Sequence, residues 1–442
     1  MEVGYKDFKS TKMKILGASI GNILEWYDFS LYGLFAVFIS AVVFTGVSAS
    51  SLLYTFLVFG LGFVFRPLGS IIFAHFGDKV GRKNALMLTF WVMGIGTILT
   101  GLTPSYASIG ILAPLLLVLF RIIQGFGAGG EWGGVGTYLA ELGGKNRRAF
   151  YSSWQQFVIL LSILGGTGTG ILITSLSPTF VETIGWRIPF IVAGGVLIPI
   201  AWILRSRLPE TEMFKEIKEK SETVKYPIVE VFTKNIRSTM LVIMGTMIWT
   251  VSFYIMLTYY PTYIKEYTTL TLRDGYIVTS VGIAVIALFV PIFGYLSDKW
   301  KNRKIFALIG SIAFIILPYP IFVVVHGGNF GYIILVTAIL DFFIAFLSGT
   351  LLAWFAESFP TNDRYSGFIP YNISTSYFGG FAPFIATALI IATNNPISPT
   401  FYVIIAGVVS TIGFLLLRET GGLEKLPETT SASKTPSAVG KK

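Results

Sequence analysis

Gly77-Asp78-Lys79-Val80-Gly81-Arg82-Lys83 is a compact charged stretch that lies between two long apolar runs of the chain. A looser copy, Asp298-Lys299-Trp300-Lys301-Asn302-Arg303-Lys304, follows about half a chain length later, again between apolar runs. A charged loop between apolar runs, repeated once in each half, predicts a duplicated membrane protein with several spans.

The composition indicates that most of the chain lies in a lipid bilayer. Of its 442 residues, 53% are hydrophobic and only 13% are charged, and the mean hydropathy is +0.71. Soluble proteins carry about 25% charged residues, so a soluble fold of this composition could not cover its surface with polar groups. Twelve apolar runs are long enough to cross a bilayer, at roughly 15–40, 52–75, 85–103, 109–140, 149–174, 187–204, 239–262, 275–297, 304–325, 331–356, 366–391 and 399–417.

The net charge of +10 is distributed in a way that indicates membrane orientation. With both termini placed in the cytoplasm, most of the 33 lysines and arginines fall in cytoplasmic loops and tails, the asymmetry that insertion imposes. The basic excess therefore predicts contact with anionic lipid and no nucleic-acid partner. The first span carries Glu25 and Asp28 and is too long for a signal peptide, so it should be retained. We predict a multi-pass protein of the cell (plasma) membrane.

Other paired motifs support the duplication. Tyr138-Leu139-Ala140-Glu141 in the first half resembles Trp354-Phe355-Ala356-Glu357 in the second. We therefore predict an all-α integral membrane protein with twelve transmembrane helices in two six-helix bundles. Two such halves place a substrate site between them, near mid-membrane. The predicted parts are a cytoplasmic tail at 1–14, an N-terminal bundle at 15–204, a cytoplasmic linker at 205–238, a C-terminal bundle at 239–418 and a disordered cytoplasmic tail at 419–442.

Further short motifs accompany the charged loops. They are Gly21-Asn22-Ile23-Leu24-Glu25-Trp26-Tyr27-Asp28-Phe29, Arg66-Pro67-Leu68-Gly69, His75-Phe76-Gly77-Asp78, Arg121 followed by Gln124-Gly125, Gly129-Gly130-Glu131-Trp132, Gly185-Trp186-Arg187-Ile188-Pro189-Phe190 and Glu357-Ser358-Phe359-Pro360. The loops resemble the signature of the major facilitator superfamily. The whole set is similar to its metabolite:proton symporter family, which includes transporters of proline and betaine, alpha-ketoglutarate, shikimate and citrate.

This resemblance implies the major facilitator fold and a secondary active transporter. Such a protein carries a small organic solute, here a carboxylate, an amino acid or a betaine, together with a proton by alternating access. A proton-coupled exporter of the same fold is an alternative, and so is a sensor or scaffold, although the tails are too short for the soluble domain it would need. The expected partners are the small-molecule substrate, protons and the lipid bilayer, and the expected functional unit is a monomer.

The sequence does not predict an enzyme. The chain has no cysteine and only two histidines, His75 and His326, so a thiolate site or a histidine-rich metal cluster is not expected. No other catalytic constellation is evident, and no cofactor or metal is predicted.

Charged residues inside spans are the main candidates for proton coupling, because a charge in the bilayer core normally faces a cavity or a partner. Glu25 and Asp28 are three residues apart in the first span and so share one helix face. Two close carboxylates repel, so one of them should hold a proton near neutral pH and exchange it during transport. The alternative is that one is paired with an arginine and is structural. The predicted proton-coupling residues are Asp28, Glu25 and Glu131.

Arg121 in the fourth span is the main candidate for substrate binding, because its planar guanidinium suits a carboxylate. It could instead tune Asp28 or form a fixed ion pair with Glu25 or Glu131. Aromatic side chains would form a cation–π cage if the substrate is a quaternary ammonium compound, and packing is the alternative. The predicted substrate-binding residues are Arg121, Asn22, Gln124, Trp132, Tyr254, Asn372 and Arg66. Asp341, in span 10, is an intramembrane charge that no motif supports.

The charged loops are predicted to close the cytoplasmic side rather than to bind substrate. The fourth span ends at Glu141, an acid at the helix end where the dipole disfavours it. Arg82 would remove that conflict, and the pair would form a latch that breaks when this side opens. The alternative is that the loop charges only fix the topology. The predicted gating residues are Asp78, Arg82, Glu141, Asp298, Arg303 and Glu357.

Overall fold

The computed structural model describes most of the apolar part of the chain. The described residues are 22–23, 25–46, 50–69, 72–73, 82–129, 139, 143–144, 146–207, 233, 235–359 and 369–421, without the side chains of 82–87, 201 and 204–207. Every regular element within these ranges is a helix.

Twelve apolar helical segments lie within the described ranges. Seven are long enough to cross a bilayer on their own: α2 (Ser51–Gly69), α5 (Arg148–Thr174), α7 (Ile236–Tyr267), α8 (Leu272–Trp300), α10 (Phe330–Glu357), α11 (Ile369–Thr393) and α12 (Pro399–Leu416). Two are bent pairs: α1 (Glu25–Leu34 with Ala36–Val43) and α9 (Lys304–Ile316 with Pro318–His326). Three are shorter: α3 (Leu88–Leu102), α4 (Leu112–Ala128) and α6 (Gly185–Ile200).

These segments coincide one by one with the twelve apolar runs predicted from the sequence, so the all-α membrane fold is confirmed. Segments α1–α6 form the N-terminal bundle and α7–α12 form the C-terminal bundle. The helix α3 begins earlier than its apolar part, at Arg82, which belongs to the first charged stretch.

Proline shapes several of these spans. α9 bends by 47° at Pro318. α7 and α11 each contain one π-helical turn, Ile255–Tyr259 and Thr375–Gly379, shortly before Pro261 and Pro383. Because proline lacks an N–H group and its ring crowds the preceding turn, the helix bends or widens at these points. Single π-helical turns are frequent at functional sites, and these two flank the interface between the bundles.

The two bundles contact each other through α5 with α8, α1 with α7 and α2 with α11. The hydroxyl of Tyr276 on α8 donates a hydrogen bond of 2.7 Å to the carbonyl oxygen of Leu34 on α1. Ser280, one turn further along α8, donates to the hydroxyl of Thr167 on α5 at 2.8 Å. Both bonds lie toward the start of α8, whereas the charged loop of Asp298 lies at its other end. They therefore close the bundle interface on the side opposite that loop.

Replacing Gly125 by alanine should destabilise the N-terminal bundle. A Cβ atom at Gly125 on α4 would overlap the backbone carbonyl of Gly62 on α2, so the two helices would have to separate. Overpacking of this kind costs about 1–3 kcal/mol, so Gly125→Ala should melt at a clearly lower temperature in detergent. Gly168 on α5 has open space where its Cβ would lie, so Gly168→Ala is the matched control and should keep the wild-type Tm. Equal melting of both variants would contradict the close contact.

Candidate functional site

A narrow cavity lies between the two bundles. Its free volume is about 10 Å³, and it is lined by Trp26 of α1, Gln156 of α5, Trp249, Thr250, Phe253 and Tyr254 of α7, and Tyr371 and Thr375 of α11. Both halves of the chain therefore contribute to its walls. That volume has room for about one water molecule and is far below the roughly 300–1,000 Å³ of ligand pockets, so the cavity is closed to any solute in this conformation.

Aromatic rings form most of the cavity wall. Trp26 stands 5.7 Å from Phe253 and 6.3 Å from Tyr254 between ring centroids. Trp249 stands 5.2 Å from Tyr371. Aromatic faces carry partial negative charge and attract cations. A wall of this kind is suited to the ammonium group of a small solute.

Several polar groups in the same wall, Thr375 Oγ1 among them, lack hydrogen-bond partners within the described part of the chain. Two of them come from different bundles. They are the amide nitrogen of Gln156 and the hydroxyl of Tyr254, and both are buried. A buried donor without a partner is costly, and the cost falls away when a ligand supplies an acceptor. Tyr254 was predicted as a substrate-binding residue and does line the cavity. Gln156 was not predicted, because an uncharged residue in an apolar span gave no signal of its own.

Arg66 on α2 forms an ion pair with Glu25 on α1. Their side chains approach to 3.3 Å, and Glu25 is buried. The guanidinium carbon of Arg66 also lies 4.0 Å from the ring centre of Phe29 and 4.5 Å from that of Phe63. Arg66 thus neutralises Glu25, so the ion pair predicted as an alternative for one of the two carboxylates is observed for Glu25. The arginine in that pair is Arg66 rather than Arg121.

Asp28 and Arg121 are joined through a glutamine rather than by a direct ion pair. The Gln124 amide nitrogen donates to Asp28 Oδ2, and its oxygen accepts from Arg121 Nη1. The same amide nitrogen is 3.1 Å from the hydroxyl of Thr97 on α3, and all four side chains are buried. Within the described residues, Asp28 Oδ1 and Arg121 Nη2 have no partner. Asp28 can therefore gain or lose a proton without breaking a salt bridge.

Arg121 lies one aromatic layer away from the cavity. Its guanidinium carbon is 4.3 Å from the ring centre of Tyr32 and 5.7 Å from that of Phe59. Phe59 in turn contacts Tyr254 in the cavity wall, at 6.0 Å between ring centroids. The positive charge of Arg121 can therefore act on a ligand in the cavity while its guanidinium stays bound to Gln124.

The remaining predicted site residues of the N-terminal bundle and α11 either do not line the cavity or lie outside the described residues. Asn22 is fully buried next to α1, and neither polar atom of its side chain has a partner in the described part of the chain. Asn372 is half-buried on α11, beside Tyr371, and does not line the cavity. Glu131, Trp132, Asp78 and Glu141 lie outside the described residues, and so does the side chain of Arg82.

The second set of predicted gating residues forms one buried charged network. Arg303 Nη1 lies 2.7 Å from Asp298, and Arg303 Nη2 lies 3.2 Å from Glu357. Glu357 also lies 3.6 Å from Arg148, which begins α5 in the N-terminal bundle. Burial lowers the pKa of Arg303, but the carboxylates of Glu357 and Asp298 outweigh it, so the net shift is upward. The guanidinium therefore stays charged in physiological conditions.

Asp298 also binds the start of α5 directly. Its carboxylate accepts hydrogen bonds from the backbone N–H groups of Ala149 at 3.2 Å and Phe150 at 2.8 Å. A carboxylate at a helix N-terminus satisfies free N–H groups and is favoured by the helix dipole. The network therefore links the two bundles. We call Asp298, Arg303, Glu357 and Arg148 the charged latch.

The segment after α12 packs on the charged latch. Glu419 accepts hydrogen bonds from the backbone N–H groups of Arg303 and Lys304, at 2.9 and 2.7 Å, and so caps the start of α9. The Thr420 hydroxyl donates to Glu357 at 2.6 Å. The tail predicted to be disordered from 419 onward is therefore ordered as far as 421. Neither Arg148 nor Glu419 was predicted as a gating residue, although Glu419-Thr420 after the twelfth span repeats Glu210-Thr211 after the sixth.

Comparison with known proteins covers nearly the whole chain. Residues 14–226 match the family model described as "Sugar (and other) transporter", and residues 272–441 match that described as "Major Facilitator Superfamily". The chain is 34% identical over 400 residues to a citrate-proton symporter of Klebsiella pneumoniae, covering 89% of each protein. It is 34% identical over 438 residues to a proline/betaine transporter of Escherichia coli K12, covering 95% of this chain and 86% of that protein.

Solved structures share the same fold. The xylose transporter of Escherichia coli, in a partially occluded inward-open conformation, aligns with a TM-score of 0.71 at 17% identity. The alignment covers 92% of this chain and 98% of that one. At this identity the likeness concerns the fold alone.

Proposed function

Because the chain belongs to the major facilitator superfamily, among its metabolite:proton symporters, we propose that it imports a small zwitterionic solute together with a proton by alternating access. It is a membrane transporter and not an enzyme. The zwitterion combines a carboxylate with a secondary or quaternary ammonium group, as in proline or glycine betaine.

The cavity between the bundles is the observation that carries this proposal. Five of its eight lining side chains are aromatic, and none of the eight is a lysine or arginine. Such a wall favours a cationic ammonium group over a multiply charged anion, which would need several positive side chains nearby. Gln156 and Tyr254 then offer hydrogen bonds to the carboxylate of the same solute.

Asp28 is the proposed proton carrier, and Arg121 links its charge to that of the solute. With Asp28 ionised, the Asp28–Gln124–Arg121 group has no net charge. When Asp28 takes a proton, the charge of Arg121 is left without compensation, and the carboxylate of the bound zwitterion compensates it. Proton and solute therefore favour each other, because protonation of Asp28 frees Arg121 to attract the carboxylate of the solute while the aromatic wall holds its ammonium group.

Alternating access requires the bundles to separate on one side at a time. In this conformation the Tyr276–Leu34 bond closes one side, and the charged latch closes the other. We propose that the latch side faces the cytoplasm, as do both termini, that the protein resides in the cell membrane, and that it acts as a monomer. The narrow cavity would then be the closed form of the binding site, which widens when either side opens.

An uptake assay with the purified protein tests this proposal. Proteoliposomes with an imposed inward proton gradient should accumulate labelled glycine betaine or proline, and an uncoupler should abolish the accumulation. Accumulation of citrate in place of both zwitterions would replace the proposed substrate class with the anionic one. Gradient-driven extrusion instead of accumulation would identify an exporter.

Tyr254→Phe should weaken solute binding without changing the fold. The Tyr254 hydroxyl has no protein partner in the described residues, so its removal costs nothing inside the protein but deletes one hydrogen bond to the solute. Loss of such a bond corresponds to about a tenfold rise in KM with little change in the maximal rate. Tyr402, whose hydroxyl donates to the Phe378 carbonyl away from the cavity, gives the control Tyr402→Phe, whose KM should be unchanged. Equal KM values for both variants would remove Tyr254 from the site.

A further inference from the structure

Asp341 is a buried carboxyl group that takes no part in the cavity, the Asp28 group or the charged latch. It lies on α10 and is 1% exposed. Neither of its carboxyl oxygens has a hydrogen-bond partner in the part of the chain that the structure describes. It lies 16 residues from Glu357, about 24 Å along the helix, and thus far from the latch side.

Asp341 is closely packed and has no charged partner within the described residues. Gly282 on α8 lies directly against it, because a Cβ atom there would overlap the carboxyl Oδ2. The titratable group that faces it is the phenol of Tyr260 on α7, which bonds to Thr337 one turn away on α10 at 2.9 Å. The charged side chains of the helices that pack on α10 lie toward helix ends: Arg148 on α5, Arg237, Lys265 and Glu266 on α7, Arg273, Asp274, Asp298 and Lys299 on α8, and Lys304 and His326 on α9.

These surroundings determine the protonation state of Asp341 in this conformation. An ionised carboxylate without a positive partner or hydrogen bonds is far more costly in an apolar interior than the neutral acid. Asp341 therefore holds its proton here. The neutral acid makes no hydrogen bond within the described residues, so it does not tie α10 to a neighbouring helix.

The part of α7 that follows its π-helical turn packs beside this acid. Tyr260 follows the π-helical turn Ile255–Tyr259 directly, and its bond to Thr337 ties that part of α7 to α10 beside Asp341. A π-helical turn is a point where a helix can change its packing. If α7 moves there when the side opposite the latch opens, water reaches Asp341 and the acid can ionise.

We propose that Asp341 is a second proton-binding site of the transporter, located in the C-terminal bundle. The inference rests on the proton-coupled import proposed above. One O–H bond forms at the carboxyl group with a proton taken from outside water, and the same bond breaks when the proton passes to water on the inner side. Each cycle then moves two protons, one on Asp28 and one on Asp341.

The number of protons per solute tests this inference. In proteoliposomes with the membrane potential clamped at zero, the limiting accumulation of glycine betaine should rise about a hundredfold for each unit of pH gradient in the wild type. In Asp341→Asn it should rise only about tenfold. Asp274→Asn, the same substitution at a carboxylate at the start of α8, should keep the wild-type slope. A wild-type slope in Asp341→Asn would overturn the inference, whereas a flat response in the wild type would overturn proton-coupled import itself.

Chemical labelling of the wild-type protein tests whether Asp341 binds and releases a proton, even if Asp341→Asn fails to fold. Dicyclohexylcarbodiimide reacts with protonated carboxyl groups in apolar surroundings, and the modified peptide is found by mass spectrometry. In the wild-type protein in membranes, Asp341 should be modified several-fold more at pH 6 than at pH 9. An unmodified Asp341, or equal modification at both pH values, would show that this acid does not titrate.

Discussion

Asp28→Asn is expected to abolish net solute uptake while leaving solute exchange intact. Asparagine has the shape of the protonated acid, and it can still accept the hydrogen bond from Gln124. The variant should therefore fold and bind solute normally. It would, however, remain in the state in which Arg121 has lost its compensating charge.

That charge imbalance affects only the empty carrier. When solute is bound, its carboxylate compensates Arg121, and the loaded carrier can change conformation. When the cavity is empty, Arg121 is a buried charge without compensation, which costs about 3–5 kcal/mol. The return of the empty carrier should therefore slow by a factor on the order of a hundred or more.

Two assays on the same proteoliposomes separate these steps. Counterflow, in which labelled solute exchanges with unlabelled solute inside, should stay within about twofold of the wild type. Net uptake driven by a pH gradient should fall to background. Asp274→Asn changes a partly exposed carboxylate in the capping box at the start of α8, far from the site, and it should leave both assays unchanged. Normal net uptake by Asp28→Asn would exclude Asp28 as the proton carrier.

Arg303→Ala is expected to open the latch side. Arg303 is buried and bonds to both Asp298 and Glu357, so its removal leaves two buried carboxylates with their main positive partner gone. Breaking a buried ion pair in this way costs about 3–5 kcal/mol. Because the network joins the two bundles through Arg148, that cost falls mainly on the conformation in which this side is closed.

The absence of cysteine from the chain makes this opening measurable. Thr375→Cys places a single thiol in the cavity wall, where a water-soluble maleimide can reach it only through an open side. In Arg303→Ala the thiol should react on the order of a hundredfold faster from the latch side. The control is Lys304→Ala, which removes the positive charge next to Arg303 in the sequence. The Lys304 ammonium donates to the Leu415 carbonyl and does not bind a carboxylate of the latch. Equal labelling in both variants would mean that the latch does not hold this side closed.

The fold could be predicted from the sequence because its signals are local. Each apolar run is long enough to cross the bilayer by itself, and the repeated charged loops give the order of the two halves. The bends were not predicted, although Pro318 in α9 and Pro261 in α7 mark their places. A proline shows where a helix is weakened, but packing decides whether it bends or widens there.

The candidate site could be predicted only in its residue types. The intramembrane charges Glu25, Asp28, Arg66 and Arg121 were all identified, but their pairing depends on how α1, α2 and α4 are rotated against one another. Spacing within one helix does not give that rotation. Gln156 escaped notice because an amide in an apolar span resembles ordinary packing.

Proton movement during solute entry tests the central claim most directly. Glycine betaine is added outside proteoliposomes that contain a trapped pH indicator, with no imposed gradient and with the membrane potential clamped at zero. The account predicts that the interior becomes acidic as the solute enters, and that an uncoupler removes the signal. Solute entry without acidification, or no entry of glycine betaine or proline at all, would contradict it.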